Sequence, residues 1–306
     1  MKQNMIIGTR QSLLALWQSN HIAQRLRQQY PQCQVTLKKI VTKGDRILDV
    51  PLAQIGGKGL FTKELETALL EEEIDLAVHS LKDMPTQLPD GLVLTAITQR
   101  ANAGDAFVSN KHQRIEDLPP GAIIGTSSLR RRAQLLAARP DLQIVDLRGN
   151  VDTRLKKLDT GNMDAIILAA AGLERLGYGE RIKEIIPKSY CLPAVGQGAL
   201  AIETRTNDAT MRGLLDFLND EPSKQATDAE RAFLGLLEGG CQVPIGVHAE
   251  VTDSLITIEA IIASLDGSVV LRDRITGPVT ANISLGRTLG NNMLDNGGRK
   301  ILDEIF

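Results

Sequence analysis

Residues 6–9 read Ile-Ile-Gly-Thr, and residues 123–126 read Ile-Ile-Gly-Thr again. Each copy is a short apolar strand ending in a Gly-Thr turn, followed by polar residues that open a helix. The first helix is predicted through Leu13, Leu16, Trp17 and Leu26, the second from about Ser128 to Ala138. Two further correspondences follow in the same order. Val41-Thr42-Lys43-Gly44-Asp45 matches Asp146-Leu147-Arg148-Gly149-Asn150, where a basic residue, a glycine and an Asp or Asn end a strand. Asp75-Leu76-Ala77-Val78-His79-Ser80 matches Asp164-Ala165-Ile166-Ile167-Leu168-Ala169, both Asp-led apolar strands running into a turn. One such match is chance-level; three in one order imply two related α/β lobes.

Strands alternating with helices predict mostly parallel, doubly wound sheets, which bind ligands outside the carboxyl ends of their strands. The repeated motifs lie at those ends. Two facing lobes would enclose a cleft lined by Arg10, Ser12, Ser80, Lys82 and Asp83 on one side. Thr126, Ser127, Ser128, Arg130, Arg131, Arg148 and Arg154 would line the other. Gln99–Gly104 and Pro193–Gly198 look like connections between lobes. If the strand-like Ala199–Thr204 returns to the first sheet, the chain crosses twice, as in a hinge. The expected units are 1–98 with 199–216, then 104–193, then a small C-terminal α/β domain over 221–306. In the last, strand-like Val247–Val251, Leu255–Ala263 and Ser268–Ile275 are joined by Thr252-Asp253-Ser254 and Asp266-Gly267, which is turn chemistry for an antiparallel sheet. Helical runs near 280–305 follow.

The C-terminal unit opens with an amphipathic run (Ala226, Ala229, Phe233, Leu236, Leu237) that leads into Glu238-Gly239-Gly240-Cys241. Glycine just past a helix end is the usual left-handed stop. Two glycines also leave the next side chain unscreened. An unpaired cysteine is more often a small buried hydrophobe than a reactive group. The flanking glycines alone leave both readings of Cys241 open.

Composition narrows the function. The 306 residues are 42% hydrophobic, enough for two or three cores. A net charge of −2 and 3% aromatic residues argue against nucleic acid. Cys33, Cys191 and Cys241 are far apart without a C-x-x-C pair, which argues against disulfides and zinc and leads us to expect a reducing cytoplasm. His21, His112 and His248 lack ligand spacing, so no metal is expected. The N-terminal residues show no apolar signal core, and the longest wholly apolar run, Ala165–Ala171, is far short of a membrane span.

Residues 130–157 hold eight basic against three acidic side chains, a local excess that wants an anionic partner. Arg139, Lys156 and Lys157 read as a solvated helix face; the run after Ser128 does not. Ser127-Ser128-Leu129-Arg130-Arg131 joins free helix N–H groups, hydroxyls and guanidiniums, an anion site suited to carboxylate or phosphate held bidentately. No phosphate-loop spacing occurs, and Gly56-Gly57-Lys58-Gly59 reads as a lid segment. Asp83, beside Lys82, is either an ordinary exposed pair or cap, or a buried carboxylate that could hold a cationic or N–H-bearing reaction centre. Strand alternation aims His79 away from the Ser80 face, which disfavours a His79–Cys241 pair. Gln197 reads as a cleft residue or as part of a plain connector.

Together these motifs resemble the porphobilinogen deaminase family. The resemblance runs essentially end to end, through Thr9-Arg10-Gln11-Ser12, Thr42-Lys43-Gly44-Asp45, Gly56-Gly57-Lys58-Gly59-Leu60-Phe61, His79-Ser80-Leu81-Lys82-Asp83 and Gly125-Thr126-Ser127-Ser128-Leu129-Arg130-Arg131. It continues through Leu147-Arg148-Gly149-Asn150, Leu192-Pro193-Ala194-Val195-Gly196-Gln197-Gly198 and Glu238-Gly239-Gly240-Cys241. It implies a three-domain cytoplasmic transferase of tetrapyrrole biosynthesis, working as a monomer. Two of its domains would be hinged lobes like those of periplasmic binding proteins. The reaction implied is the head-to-tail condensation of four porphobilinogens into hydroxymethylbilane, with release of ammonia. One dipyrromethane per chain would be joined covalently to Cys241, and Asp83 would be catalytic. Arg10, Arg130, Arg131, Arg148, Arg154 and Arg175 would bind carboxylates. Ser12, Ser80, Lys82, Thr126, Ser127, Ser128, Asn150 and Gln197 would complete the binding surface. A two-lobed solute-binding protein without catalysis explains the repeat and the arginines but not Gly-Gly-Cys241. A cysteine acyl-transfer enzyme lacks its histidine partner.

Overall fold

The computed structural model of the protein describes residues 2–46, 59–237 and 243–305. Cys241, and the glycine-rich segment up to Lys58, lie outside them.

The internal repeat is a structural one. Strands β1 (Asn4–Thr9), β2 (Gln34–Lys39), β3 (Leu76–Ser80) and β4 (Leu92–Ile97) form one sheet with β10 (Leu200–Arg205), in the order β2-β1-β3-β10-β4. Strands β5 (Asp105–Val108), β6 (Ile123–Gly125), β7 (Gln143–Val145), β8 (Ala165–Ala169) and β9 (Glu184–Ile185) form a second, in the order β7-β6-β8-β5-β9. The two orders superpose position for position, with β1 answering to β6 and β3 to β8. The leading aspartates do equivalent work. The backbone N–H of Ile6 donates to Asp75 Oδ2 at 2.7 Å, and that of Ile123 to Asp164 Oδ2 at 2.9 Å. The repeated glycine is needed for close approach. A Cβ on Gly8 would meet Ile74 Cδ1 at 2.3 Å, and one on Gly125 would meet Met163 Sδ at 2.5 Å.

The sheets are mostly, not wholly, parallel, and the exception in each has a simple cause. The β3→β10 and β8→β5 neighbours are antiparallel. Each of β5 and β10 enters its sheet directly from the other lobe, so it starts at the cleft end where the parallel strands finish. A crossover helix would have brought it in from the opposite end. The two crossings touch: Ala101 N–H donates to the Gly198 carbonyl at 3.2 Å, and Gly198 takes φ +97°.

Capping residues start the helices. Ser12 Oγ accepts from Ala15 N–H in helix Leu13–Gln29, and Ser128 Oγ accepts from Arg131 N–H in helix Leu129–Ala138. In the C-terminal unit, Asp220 caps helix Glu221–Leu236 with Pro222 in its first turn. Strands β11 (Ile245–Thr252), β12 (Leu255–Ala263) and β13 (Val270–Pro278) form the expected antiparallel sheet. Ile256, Ile258, Ala260 and Ile262 alternate toward Phe233, Leu289 and Met293 of the covering helices. Asp253 and Gly267 take positive φ at the two turns. Helices Asn282–Met293 and Arg299–Asp303 close the described chain.

One buried carboxylate fastens this unit to the hinge. Glu230 Oε1 accepts from Arg100 Nη1 at 2.6 Å on the first crossing, and Glu230 Oε2 accepts from Gly196 N–H at 2.7 Å on the second. No described helix is long and apolar enough to cross a membrane.

Candidate active site

The carboxyl ends of β1 and β3 bring Arg10, Ser12, Ser80, Lys82 and Asp83 to the cleft; those of β6 and β7 bring Thr126–Arg131, Arg148, Asn150 and Arg154. After β3 the chain makes one 3-10 turn, Leu81–Asp83. Leu81 is buried, Lys82 is half-buried and Asp83 is exposed. Asp83 is therefore not the buried carboxylate that one sequence reading allowed.

Several hydroxyls hold local structure. Ser80 Oγ accepts from Gln18 Nε2 at 2.8 Å, while His79 on the opposite face lies 3.0 Å from Glu203 Oε2, as strand alternation requires. Ser127 Oγ accepts from Leu147 N–H at 2.9 Å and donates to the Leu147 carbonyl at 3.0 Å. Thr126 Oγ1 accepts from Ser128 N–H at 3.3 Å. Asn150 stands at the cap position of helix Val151–Asp159 without a side-chain capping bond. Arg10 donates to Asp45, with Nη2–Oδ1 at 2.5 Å, and covers the Phe61 ring.

Arg130 and Arg131 depart from the open guanidinium fork expected at their helix start. Both are buried on Asp105, the first residue of β5. Arg130 Nη1 donates to Asp105 Oδ2 at 2.7 Å and to the Leu192 carbonyl at 2.5 Å. Arg131 Nε and Nη2 donate to Asp105 Oδ1 at 3.0 and 2.7 Å, and its Nη1 donates to the Ile167 carbonyl at 2.9 Å. Burial alone would raise the Asp105 carboxyl; the two guanidiniums hold it far below the usual carboxylate range. Gln197 Nε2 donates to Asp105 Oδ1 at 2.9 Å, and Gln197 Oε1 accepts from Lys82 Nζ at 3.5 Å. Gln197 is thus a fixed bridge. Asp105 joins the arginine helix, the second crossing and, through Gln197, the Asp83 turn. The sequence carried no motif for Asp105, only its place directly after the first crossing.

Arg148 and Arg154 form no ion pair among the described residues. Among the described residues Arg148 Nη1 is buried without a hydrogen-bond partner, and Arg154 Nε donates to the Gly149 carbonyl at 2.7 Å. Burial, then Arg131 and Arg148, push Arg154 down to about 10 against the pull of Asp83. Burial pushes Lys82 down to about 8, with Asp83 and Asp105 opposing and Arg131 and Arg130 adding to the fall. Lys82 and Asp83 of one lobe and Arg131, Arg148 and Arg154 of the other therefore share one electrostatic field. A buried, unpartnered guanidinium nitrogen beside two cations whose basicity burial lowers fits a ligand that brings several carboxylates. Arg175, on helix Ala170–Arg175, donates to the Gly198 carbonyl at 2.6 Å and lies over the Trp17 ring. Among the described residues no cluster of His, Cys, Asp and Glu is arranged to hold a metal ion.

A family model described as the porphobilinogen deaminase dipyromethane cofactor binding domain matches residues 5–213, which include both sheets and the whole cleft. The chain belongs to the porphobilinogen deaminase family. The family's C-terminal domain matches residues 224–295. The porphobilinogen deaminase of Pelobacter propionicus is 52% identical over 98% of this chain and 96% of its own length. That of Desulforamulus reducens is 50% identical over 100% and 99%. The methionine-binding protein MetQ is similar in structure over 78% of this chain and 96% of its own, with 16% identity and a TM-score of 0.46. Membership makes the chain a transferase with a dipyrromethane cofactor.

Proposed function

We propose that the protein condenses four porphobilinogen molecules head to tail into hydroxymethylbilane, on a dipyrromethane joined by a thioether to Cys241. The observation that carries this is the gathering of Lys82, Arg131, Arg148 and Arg154 in one electrostatic field, with the exposed carboxylate of Asp83 beside them. The dipyrromethane supplies a free pyrrole α-carbon on which chain growth starts. Each porphobilinogen loses ammonia, and a new C–C bond replaces the broken C–N bond. The proton displaced from the acceptor carbon leaves with the ammonia. After the fourth addition water breaks the C–C bond between the cofactor and the new tetrapyrrole, giving its hydroxyl to hydroxymethylbilane and a proton to the cofactor's α-carbon. Asp83 faces the cation that ammonia departure creates on the substrate and orients its pyrrole N–H. Lys82, Arg148 and Arg154 bind the acetate and propionate groups of incoming rings. Arg130 and Arg131, locked on Asp105, shape the wall against which the anchored rings sit. Ser12, Ser80 and Asn150 border that surface.

The other thiols support the choice of Cys241. Cys33 and Cys191 are both buried. Burial pushes Cys33 up, and Asp75 adds to it. Burial, then Asp105, pushes Cys191 up to about 12, far from thiolate chemistry. The working unit is a cytoplasmic monomer of the three domains 1–98 with 199–216, 104–193 and 221–306.

Intact mass tests the reading. Native protein is expected to exceed its polypeptide mass by two linked pyrrole units, and Cys241→Ala to lack the excess. An active preparation with the bare polypeptide mass overturns the proposal. Arg148→Leu and Arg154→Leu are expected to carry the excess yet stall partway through the mass ladder that porphobilinogen produces.

Lys82 gives the cleft a pH dependence. Its ammonium is lost as pH rises through about 8, so carboxylate binding weakens above that value. The KM for porphobilinogen is expected to rise, by up to about tenfold per pH unit, above pH 8. In Lys82→Arg, which stays charged, KM should remain flat across that range; a wild-type KM that is itself flat to pH 9.5 rules the role out.

A further inference from the structure

Trp17 is the only tryptophan in the chain, and it is 37% exposed although its helix packs into a lobe. It lies one turn after Leu13, itself 56% exposed, in the helix that leaves the carboxyl end of β1. The facing element is helix Ala170–Arg175, which leaves the carboxyl end of β8 in the other lobe. Both helices therefore flank the mouth of the cleft. His21 stacks on the indole with ring centroids 5.2 Å apart and planes 6° apart, which fixes the ring. Arg175 reaches across from the second lobe, with its guanidinium carbon 5.8 Å from the indole centroid. Among the described residues Arg175 forms no ion pair; its Nη2 donates to a backbone carbonyl, and burial lowers its basicity. An exposed indole held rigid beside a guanidinium without a carboxylate is an unusual surface for water alone.

Its chemistry matches one occupant. An oligopyrrole offers flat aromatic rings, each with short carboxylate arms, so one ring can lie against the Leu13–Trp17 ledge while its carboxylate meets Arg175. A chain that lengthens from inside the cleft must bring its later rings to this mouth. We propose that the Leu13–Trp17–Arg175 rim binds the outer pyrrole rings of the elongating chain, an inference that rests on the condensation proposed above. Trp17 holds rings that have left the reaction centre and takes no part in bond making.

The single tryptophan makes the rim directly observable. Porphobilinogen is added to the cofactor-loaded protein, and intact mass and acrylamide quenching of tryptophan emission are read on the same samples. The quenching constant is expected to stay near its starting value through the first addition and to fall as later units join. Trp17→Ala is expected to load cofactor and make the first addition normally, but to slow the later additions about two- to tenfold, as loss of an aromatic contact would. Trp17→Phe, which keeps a ring, is expected to restore them. A mass ladder that proceeds with unchanged quenching, or Trp17→Ala with wild-type later additions, overturns the rim while leaving the condensation standing. No mass ladder at all overturns the condensation, and the rim with it.

Discussion

Asp83→Asn is expected to lower turnover at least about a hundredfold, the scale of removing one preorganised electrostatic stabiliser. The substitution keeps the size and shape of the side chain and removes its charge. Asp83 is exposed at the end of a 3-10 turn and is no part of a buried cluster, so folding should not suffer. The loss should therefore fall on the chemical step. In the proposed condensation, ammonia departure would place a positive charge on the substrate in a cleft already crowded with Lys82, Arg148 and Arg154. Without a carboxylate the new cation meets only like charges. Asp83 also opposes the downward pressure on both Lys82 and Arg154. Its neutralisation should lower the basicity of Lys82 further and shift the KM–pH profile toward lower pH. The measurement is single-turnover condensation by the cofactor-loaded variant, with thermal unfolding as a control. Near-normal turnover in a folded, loaded protein would make Asp83 an ordinary surface carboxylate.

The architecture was legible because the constraints are local. Ile6–Thr9 and Ile123–Thr126 repeat because each glycine packs against the residue preceding a leading aspartate, Ile74 or Met163, and each aspartate captures the same neighbouring N–H. Those demands act within one strand pair, so they leave a mark in sequence. The antiparallel direction of β5 and β10 left none, because it follows from where a distant crossing delivers the chain. The arginines show the same divide. Residue type and helix position announced that Arg130 and Arg131 would bind an anion. That the anion is a carboxylate of the protein's own β5 is a long-range fact, since Asp105 lies 25 residues from Arg130. Arg148 and Arg154 were read from the same block and form no ion pair among the described residues. Gln197 was open between connector and site because its two partners, Asp105 and Lys82, come from different lobes. Trp17 read only as one apolar position of the first predicted helix; its place beside Arg175 of the opposite lobe left no mark in sequence.

Asp105 carries the second large expected effect. Its side chain is fully buried, and it is the counterion of two buried guanidiniums. Asp105→Ala leaves both without a charge partner, and breaking a buried ion cluster in this way costs about 3–5 kcal/mol. In a protein of this size the melting temperature should fall by roughly 6–20 °C. Asp105→Asn retains an acceptor for Gln197 and Arg131 but no charge, so it should lie between Asp105→Ala and wild type. The pH dependence separates a charge effect from a packing effect. The folded carboxyl is held far below its unfolded value, so its stabilisation is complete above the unfolded pKa, about 4, and is lost as pH falls below it. The gap in melting temperature between wild type and Asp105→Asn should therefore be constant from pH 6 to 8 and narrow below pH 4. A gap that persists unchanged into acid would trace the loss to packing. In the proposed function the chemistry should respond as well, because Asp105 fixes Arg130 and Arg131 and, through Gln197, Lys82. Folded Asp105→Asn is expected to carry less cofactor by intact mass, and the molecules that do carry it should condense slowly. Full cofactor loading and wild-type condensation in a destabilised variant would confine Asp105 to stability and detach the hinge from the reaction.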